Sequence, residues 1–204
     1  MAEQQTGTDR SGRFAAYIEA RKFDPPRPLL IKAADLAEQK AHALDAGAGA
    51  LNATKYLLSA GFAHVTALDA APGSQRIAAA MPPEQVRFVL SRFEDFAFPE
   101  RHFDLVNAEF CLPFIAPGAF AAVFAGLLGA LNVGGIFTGQ LFGPHDSWNV
   151  ENSGMTFHTR QQVESFFADF AFVELTEEDK PGMTKLGEAK HWHIFHIIAR
   201  RLPR

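Results

Sequence analysis

Two acids and two glycines carry the strongest chemical signal in this chain. Asp45-Ala46-Gly47-Ala48-Gly49-Ala50 follows a short apolar stretch, His42 to Asp45, and precedes a helical pattern over residues 52–60. Glycine lets the backbone turn sharply and lets a ligand approach with no Cβ in the way. A strand feeding such a loop and then a helix can seat a nucleotide-like ligand, although the same loop also serves as a plain tight turn. Asp69 ends the next strand-like stretch, 64–69. A carboxylate there can grip both hydroxyls of a ribose, or cap the helix that follows. With the glycine loop upstream, the ribose reading prevails. A dinucleotide fingerprint needs a third glycine where Asn52 stands, which disfavours a nicotinamide-dependent oxidoreductase. Asp45, just ahead of the first glycine, suits a ligand bearing an ammonium better than one bearing a pyrophosphate.

These groups can meet only if strands carry them to one edge of a sheet. Apolar periodicity predicts helices over 13–22, 29–40, 52–60 and 74–81, and a buried helix over 118–131. Stretches rich in β-formers predict strands at 64–69, 86–90, 103–107 and 135–141. Thr159 and Gln162 form a capping box for a late helix, whose apolar face is Val163, Phe166, Phe167 and Phe170. Strands at 172–175 and 192–200 close the chain. The polar linker between them, with Pro181-Gly182, lacks a helical pattern, so these strands read as an antiparallel pair. Strands alternating with helices imply a mostly parallel sheet covered on both faces, with ligands beyond the carboxyl ends of its strands.

The Asp-x-Gly-x-Gly loop resembles motif I of the class I S-adenosylmethionine-dependent methyltransferases. Asp69 sits where that family's ribose-binding acid sits. Ser91-Arg92-Phe93-Glu94-Asp95-Phe96 takes the place of its adenine-contacting loop, Phe103 to Asn107 of its fourth strand, and Asn132-Val133-Gly134-Gly135 of the turn before its fifth. Residues 191–200 match its closing strand. Small-molecule enzymes of the tellurite-resistance type are similar in length and in their N-terminal helices. The resemblance implies an α/β, Rossmann-like, seven-stranded, mostly parallel sheet with helices on both faces and an antiparallel C-terminal strand. It implies a tail over 1–12, a helical lid over 13–40 and a cofactor-binding domain over 41–204. The implied activity is methyl transfer from S-adenosylmethionine to a small molecule by in-line displacement, leaving S-adenosylhomocysteine. A non-catalytic protein binding the same cofactor is the remaining alternative. The implied cofactor residues are Asp45, Gly47, Ala48, Gly49, Asp69, Ala70, Arg92, Phe93, Glu94 and Asn107. Arg92 departs from the pattern, because many relatives place there an acid that accepts from the adenine amino group. A guanidinium only donates, so Glu94 takes that role and the Phe93 N–H pairs with a ring nitrogen. The Phe93 ring is equally suited to core or pocket.

A nucleophile that must lose a proton needs a base. His145 beside Asp146 can form one near neutral pH, or the two can belong to a surface turn. Glu109 is a base, a substrate anchor or a helix-start acid. Cys111 reads as a small buried apolar residue. The loop Asn107-Ala108-Glu109-Phe110 lacks the Asn-Pro-Pro-Tyr pattern of relatives that methylate amino groups of nucleic acids. Tyr17, Arg27, Phe110, Phe142 and Trp148 are the acceptor-site candidates, and Phe23 is a further one. His191 and His193 share a strand face without an evident third ligand, so no metal site is expected. Arg200, Arg201 and Arg204 read as a solvated basic end.

Composition sets the outer limits. The formal net charge of −4 over 204 residues argues against a nucleic-acid footprint. The polar start has no apolar signal region, and no apolar run is long enough to suggest a membrane span. A single cysteine excludes an internal disulfide, and the expected setting is the cytoplasm. Oligomeric state is not readable from the sequence. The chain holds 20 Phe but 2 Tyr and 2 Trp, a bias toward ring area without polar handles. Phe93, Phe110, Phe114 and Phe142 follow predicted strand ends, where they are expected to line a dry acceptor pocket.

Overall fold

The computed structural model describes residues 3–203, with side chains from residue 12 onward. The chain runs α1 (Glu3–Arg21), α2 (Pro28–Leu36), β1 (His42–Ala46), α3 (Asn52–Ser59), β2 (His64–Asp69), α4 (Pro72–Ala78) and β3 (Val86–Leu90). It continues through β4 (Phe103–Ala108), α5 (Pro117–Gly129), β5 (Leu131–Phe142), α6 (Arg160–Phe166), β6 (Phe170–Met183) and β7 (Ala189–Arg201). The seven strands form one sheet in the order β3-β2-β1-β4-β5-β7-β6. β1 to β5 pair in parallel, whereas β7 is antiparallel to both β5 and β6.

The order reverses between β1 and β4, and this positions the site. The chain lays β2 and β3 outward on one side of β1, then returns to lay β4 on the other. The register pairs Asp45 with Asn107 across that switch, so two groups distant in sequence stand level at the carboxyl edge. The glycine loop and Glu109 follow strands at this edge, and Asp69 and Phe142 end strands there.

The sheet is dry on both faces. One layer is built by Phe120, Phe124, Leu127 and Leu128 of α5, with Val163, Phe167 and the inward side chains of the central strands. The other is built by Leu30, Ala33 and Ala34 of α2, with Leu57 and Phe62. α2 is therefore a packing layer of the sheet, so only the segment up to Arg27 is placed to act as a lid. α1 reaches back to Glu3, into the stretch expected as a tail; residues 1 and 2 lie outside the described residues.

Three local departures have physical causes. The segment read as a polar linker is strand: β6 continues through Pro181 and Gly182, which pair with His191 and Lys190. It is polar because it is the outer edge of the sheet, where a proline's missing N–H is tolerated and exposed side chains face water. The helical face predicted through Phe170 is cut short, because α6 ends at Phe166 and Phe170 opens β6. The basic end is not solvated. Arg201 donates to the carbonyls of Leu128, Gly129 and Leu131, closing the end of α5, and Arg200 donates to those of Leu36 and Gly134. Arg204 lies outside the described residues.

Candidate active site

The glycine loop is shaped by contact as well as by turning. Gly47 and Gly49 both have positive φ, 72° and 50°. A Cβ on Gly47 would stand 2.5 Å from the Cys111 Cβ, so the loop after β1 lies directly on the loop after β4. Cys111 Sγ donates to the Ala46 carbonyl at 3.2 Å, and burial pushes the thiol well up. It is an inert packing residue, as expected.

Asp45 is buried with both oxygens engaged. Oδ2 accepts from Thr54 Oγ1 at 2.6 Å and Oδ1 from Asn107 Nδ2 at 2.9 Å. Burial raises its pKa, and these two hydrogen bonds oppose the rise. Asn107 is thereby oriented, and its Oδ1 is buried with no hydrogen-bond partner among the described residues. Asp69 likewise faces the loop: Oδ2 accepts from the Gly49 N–H and Oδ1 from the Ala71 N–H, each at 2.7 Å. Ala70 beside it is exposed.

On the adenine side, Arg92 and Glu94 are joined by a 3.0 Å ion pair. The acid expected to replace Arg92 is thus partly occupied by Arg92 itself. The Phe93 ring packs against the core cluster and approaches the Gly47 position. It lines neither of the two cavities described next.

The first cavity is bounded by Asp45, Gly47, Gly49, Asn107 and Glu109, and roofed by Tyr17, Arg21 and Arg27. The second, of about 660 Å³, adjoins it through Tyr17 and is walled by Phe14, Phe110, Phe114, Phe142, Trp148 and Trp192. Four of the five acceptor-site candidates, Tyr17, Phe110, Phe142 and Trp148, line this second cavity; Arg27 lines the first. Phe110 has φ 55°, unusual for a bulky residue. Its N–H donates to Gln140 Oε1 at 3.0 Å, and its ring lies under the Arg27 guanidinium, 4.2 Å away. Phe23 is 92% exposed and takes no part.

Glu109 lines the first cavity, next in sequence to Phe110, which lines the second. Its side chain is 8% exposed, its Oε2 is 3.9 Å from Arg27 Nε, and its Oε1 is buried without a hydrogen-bond partner among the described residues. Burial pushes its pKa up to about 7, against the lowering influence of Arg27.

His145 and Asp146 do not form the expected pair. Asp146 is buried and hydrogen-bonded to the equally buried Lys190, and it also accepts from the N–H groups of Trp148 and His193. His145 turns the other way, 68% exposed, with Nδ1 2.7 Å from Asp179 Oδ2. A buried ammonium outcompetes an exposed imidazole for the carboxylate, because an unpaired buried charge is the costlier loss. His145 lines neither cavity. His145, Asp179 and His193 bring possible metal-ligating atoms within 4.8 Å of one another. Both His193 nitrogens are already committed, Nδ1 accepting from the His145 N–H and Nε2 bonding Glu177. The cluster therefore reads as a hydrogen-bonded seam between this loop and the β6–β7 hairpin.

A family model described as a methyltransferase domain matches residues 43–135, the span from β1 to the start of β5. Residues 43–135 thus form a methyltransferase domain. No curated protein matches it by sequence. Among solved structures, the Burkholderia thailandensis 1,6-didemethyltoxoflavin-N1-methyltransferase, with 1,6-didemethyltoxoflavin and S-adenosylhomocysteine bound, is 22% identical. That likeness covers 98% of this chain and 90% of that one, with a TM-score of 0.68. TehB from Haemophilus influenzae is 16% identical with a TM-score of 0.72, covering 86% of this chain and 62% of TehB. An S-adenosylmethionine-dependent methyltransferase from Mesorhizobium loti is 16% identical with a TM-score of 0.63, covering 85% and 96%. These likenesses are of fold.

The first cavity fits S-adenosylmethionine on two counts. The glycine loop leaves a wall without side chains. Asn107 Oδ1 is a buried acceptor with no donor among the described residues, and an ammonium can supply one. Sequence reasoning missed Thr54, Gln140 and Lys190. Gln140 and Lys190 act through partners 30 and 44 residues away, and Thr54 through Asp45 across the glycine loop, and nothing in their own neighbourhoods signals those partners. Among the described residues, no helix is long and apolar enough to cross a membrane.

Proposed function

We propose that this enzyme methylates a small molecule held in the aromatic cavity, with Glu109 taking the acceptor's proton. The observation that carries this reading is Glu109 itself: a buried carboxyl with an unpartnered Oε1 and a pKa near 7, lining the cofactor cleft next in sequence to Phe110 of the acceptor cavity. A base works best with a pKa near the working pH. When bound, S-adenosylmethionine supplies a sulfonium methyl, moved in line to the acceptor as its carbon–sulfur bond breaks. The protein's part is to hold the acceptor in line, keep water out and receive one proton at Glu109.

The cofactor's amino group falls to Asn107 Oδ1, backed by Asp45, and its chain lies along Gly47, Ala48 and Gly49. Asp69 and Ala70 border the ribose. Phe93, through its N–H, and Glu94 border the adenine, with Arg92 restraining Glu94. Tyr17 roofs both cavities and Arg27 the first: Arg27 Nη2 donates to Tyr17 Oη at 3.3 Å while its guanidinium covers Phe110. A small acceptor is further supported by the toxoflavin-precursor methyltransferase, which the chain matches over nearly its whole length. The single buried thiol suits a reducing compartment, the cytoplasm.

A screen of pooled metabolites with methyl-labelled cofactor tests the reading. Transfer to a low-molecular-weight acceptor, lost in Glu109→Gln, is the expected result. Label appearing only in protein or nucleic acid would overturn it.

A further inference from the structure

Four rings of the second cavity have a cation against them. Lys190 Nζ lies 4.2 Å from the ring centres of both Trp148 and Trp192 and 5.2 Å from that of Phe142. The Arg27 guanidinium lies 4.2 Å from that of Phe110. Lys190 is fully buried and does not line the cavity, so its ammonium meets the indoles from the protein side. The arrangement is held in place by Asp146, which binds Lys190 and also the Trp148 N–H. The rings also brace one another, with centroids 5.6 Å apart for Trp148 and Trp192 and 5.8 Å for Phe142 and Trp192.

A cation against a ring draws on its negative face. The cavity side of such a ring then carries less negative potential and prefers an electron-rich partner. A volume of about 660 Å³ suits a compact two- or three-ring molecule. We propose that the methyl acceptor is a planar, electron-rich aromatic or heteroaromatic compound, stacked on the cation-backed walls formed by Phe110, Trp148 and Trp192. This names the acceptor class for the function proposed above and rests on that reading.

The chain's 2 Trp both line the cavity, so intrinsic tryptophan fluorescence reports on it directly. Three neutral probes of one skeleton separate the elements of the proposal when titrated into the full chain: naphthalene, octafluoronaphthalene and decalin. Naphthalene is expected to bind about threefold to tenfold more tightly than decalin, the scale of a specific aromatic contact. It is expected to exceed octafluoronaphthalene by about threefold, as the cations favour the electron-rich face. Decalin binding as well as naphthalene would overturn the planar class, and octafluoronaphthalene binding as well would overturn the electron-rich preference. The double variant Asp146→Asn, Lys190→Met removes the buried charges together and should bring the two flat probes toward equal affinity; an unchanged preference would overturn the role of Lys190. S-adenosylhomocysteine affinity is measured separately by calorimetry. Its absence would count against the cofactor site while leaving the probe result to decide the acceptor class.

Discussion

Arg27 Nε stands 3.9 Å from Glu109 Oε2, near enough to favour the carboxylate but beyond hydrogen-bond length. Burial dominates, so Glu109 titrates at about 7 and Arg27 keeps it from rising further. If Glu109 is the base, turnover should climb with pH through about 7, since only the ionised form accepts a proton. Glu109→Gln should remove that limb and lower turnover by about 10²–10⁴-fold. Arg27→Ala should move the limb to higher pH, because the charge that favours ionisation is gone. A pH profile of kcat on each variant checks both signs, and a limb that stays in place in Glu109→Gln would exclude the base role.

His145→Ala separates this base from the one expected from the sequence. The imidazole is exposed and bonded to Asp179, away from both cavities. Turnover should therefore stay within about twofold of the parent, as for an ordinary surface substitution. Lys190→Met alone should behave differently. It strands the buried Asp146 carboxylate and should cost about 3–5 kcal/mol of stability, read as a lower midpoint in urea. Adding Asp146→Asn should restore much of the loss.

The contrast between these neighbours shows what was legible in the sequence and what was not. The positions of Asp45, Gly47 and Asp69 were readable because they depend on local context: each sits at or beside a strand end, and turn chemistry is written in adjacent residues. The mostly parallel sheet followed from alternation, and the antiparallel final pair from the absence of a helix before β7. Phe110, Phe142 and Trp148 were placed at the cavity because each follows a strand on the carboxyl edge. Asp146 was misread because proximity along the chain is a poor guide when a side chain can turn to either face. Its partner, Lys190, arrives on β7 from the far end of the sequence. Asp45 shows the same limit more mildly. Its position was foreseen, but not that Thr54 and Asn107 would take both its oxygens, leaving Asn107 Oδ1 as the free acceptor.

Asp69 tests the cofactor site. Its oxygens are tied to the Gly49 and Ala71 N–H groups, and each keeps a lone pair that a ribose hydroxyl can use. Asp69→Ala should weaken S-adenosylhomocysteine binding by about 1–3 kcal/mol, the scale of a charged hydrogen bond. It should also loosen the glycine loop. Asp69→Asn keeps one acceptor for the loop and loses the charge, so it should preserve the melting temperature better than Ala while still binding less tightly. Calorimetry and thermal melts on the two variants distinguish ribose recognition from loop support; equal cofactor affinity in both variants and the parent would leave Asp69 with the loop role alone.

Gly47 is where the two strand-end loops touch, and it makes the sharpest steric prediction. Its φ of 72° already disfavours any side chain, and a Cβ would lie 2.5 Å from the Cys111 Cβ. Both lie in turns directly after strands, with Gly47 just after β1 and Cys111 tied to Ala46, so neither can simply rotate away. Gly47→Ala should therefore cost about 1–3 kcal/mol through overpacking alone, and should displace the loop that carries Glu109 and Phe110. Cys111→Gly removes the opposing Cβ. Combined with Gly47→Ala it should recover the steric part of the loss but keep the backbone part, about 1–2 kcal/mol for a residue held left-handed. Urea melts of the two single variants and the double variant measure the coupling. Simple additivity of the two costs would show that the loops do not meet as described.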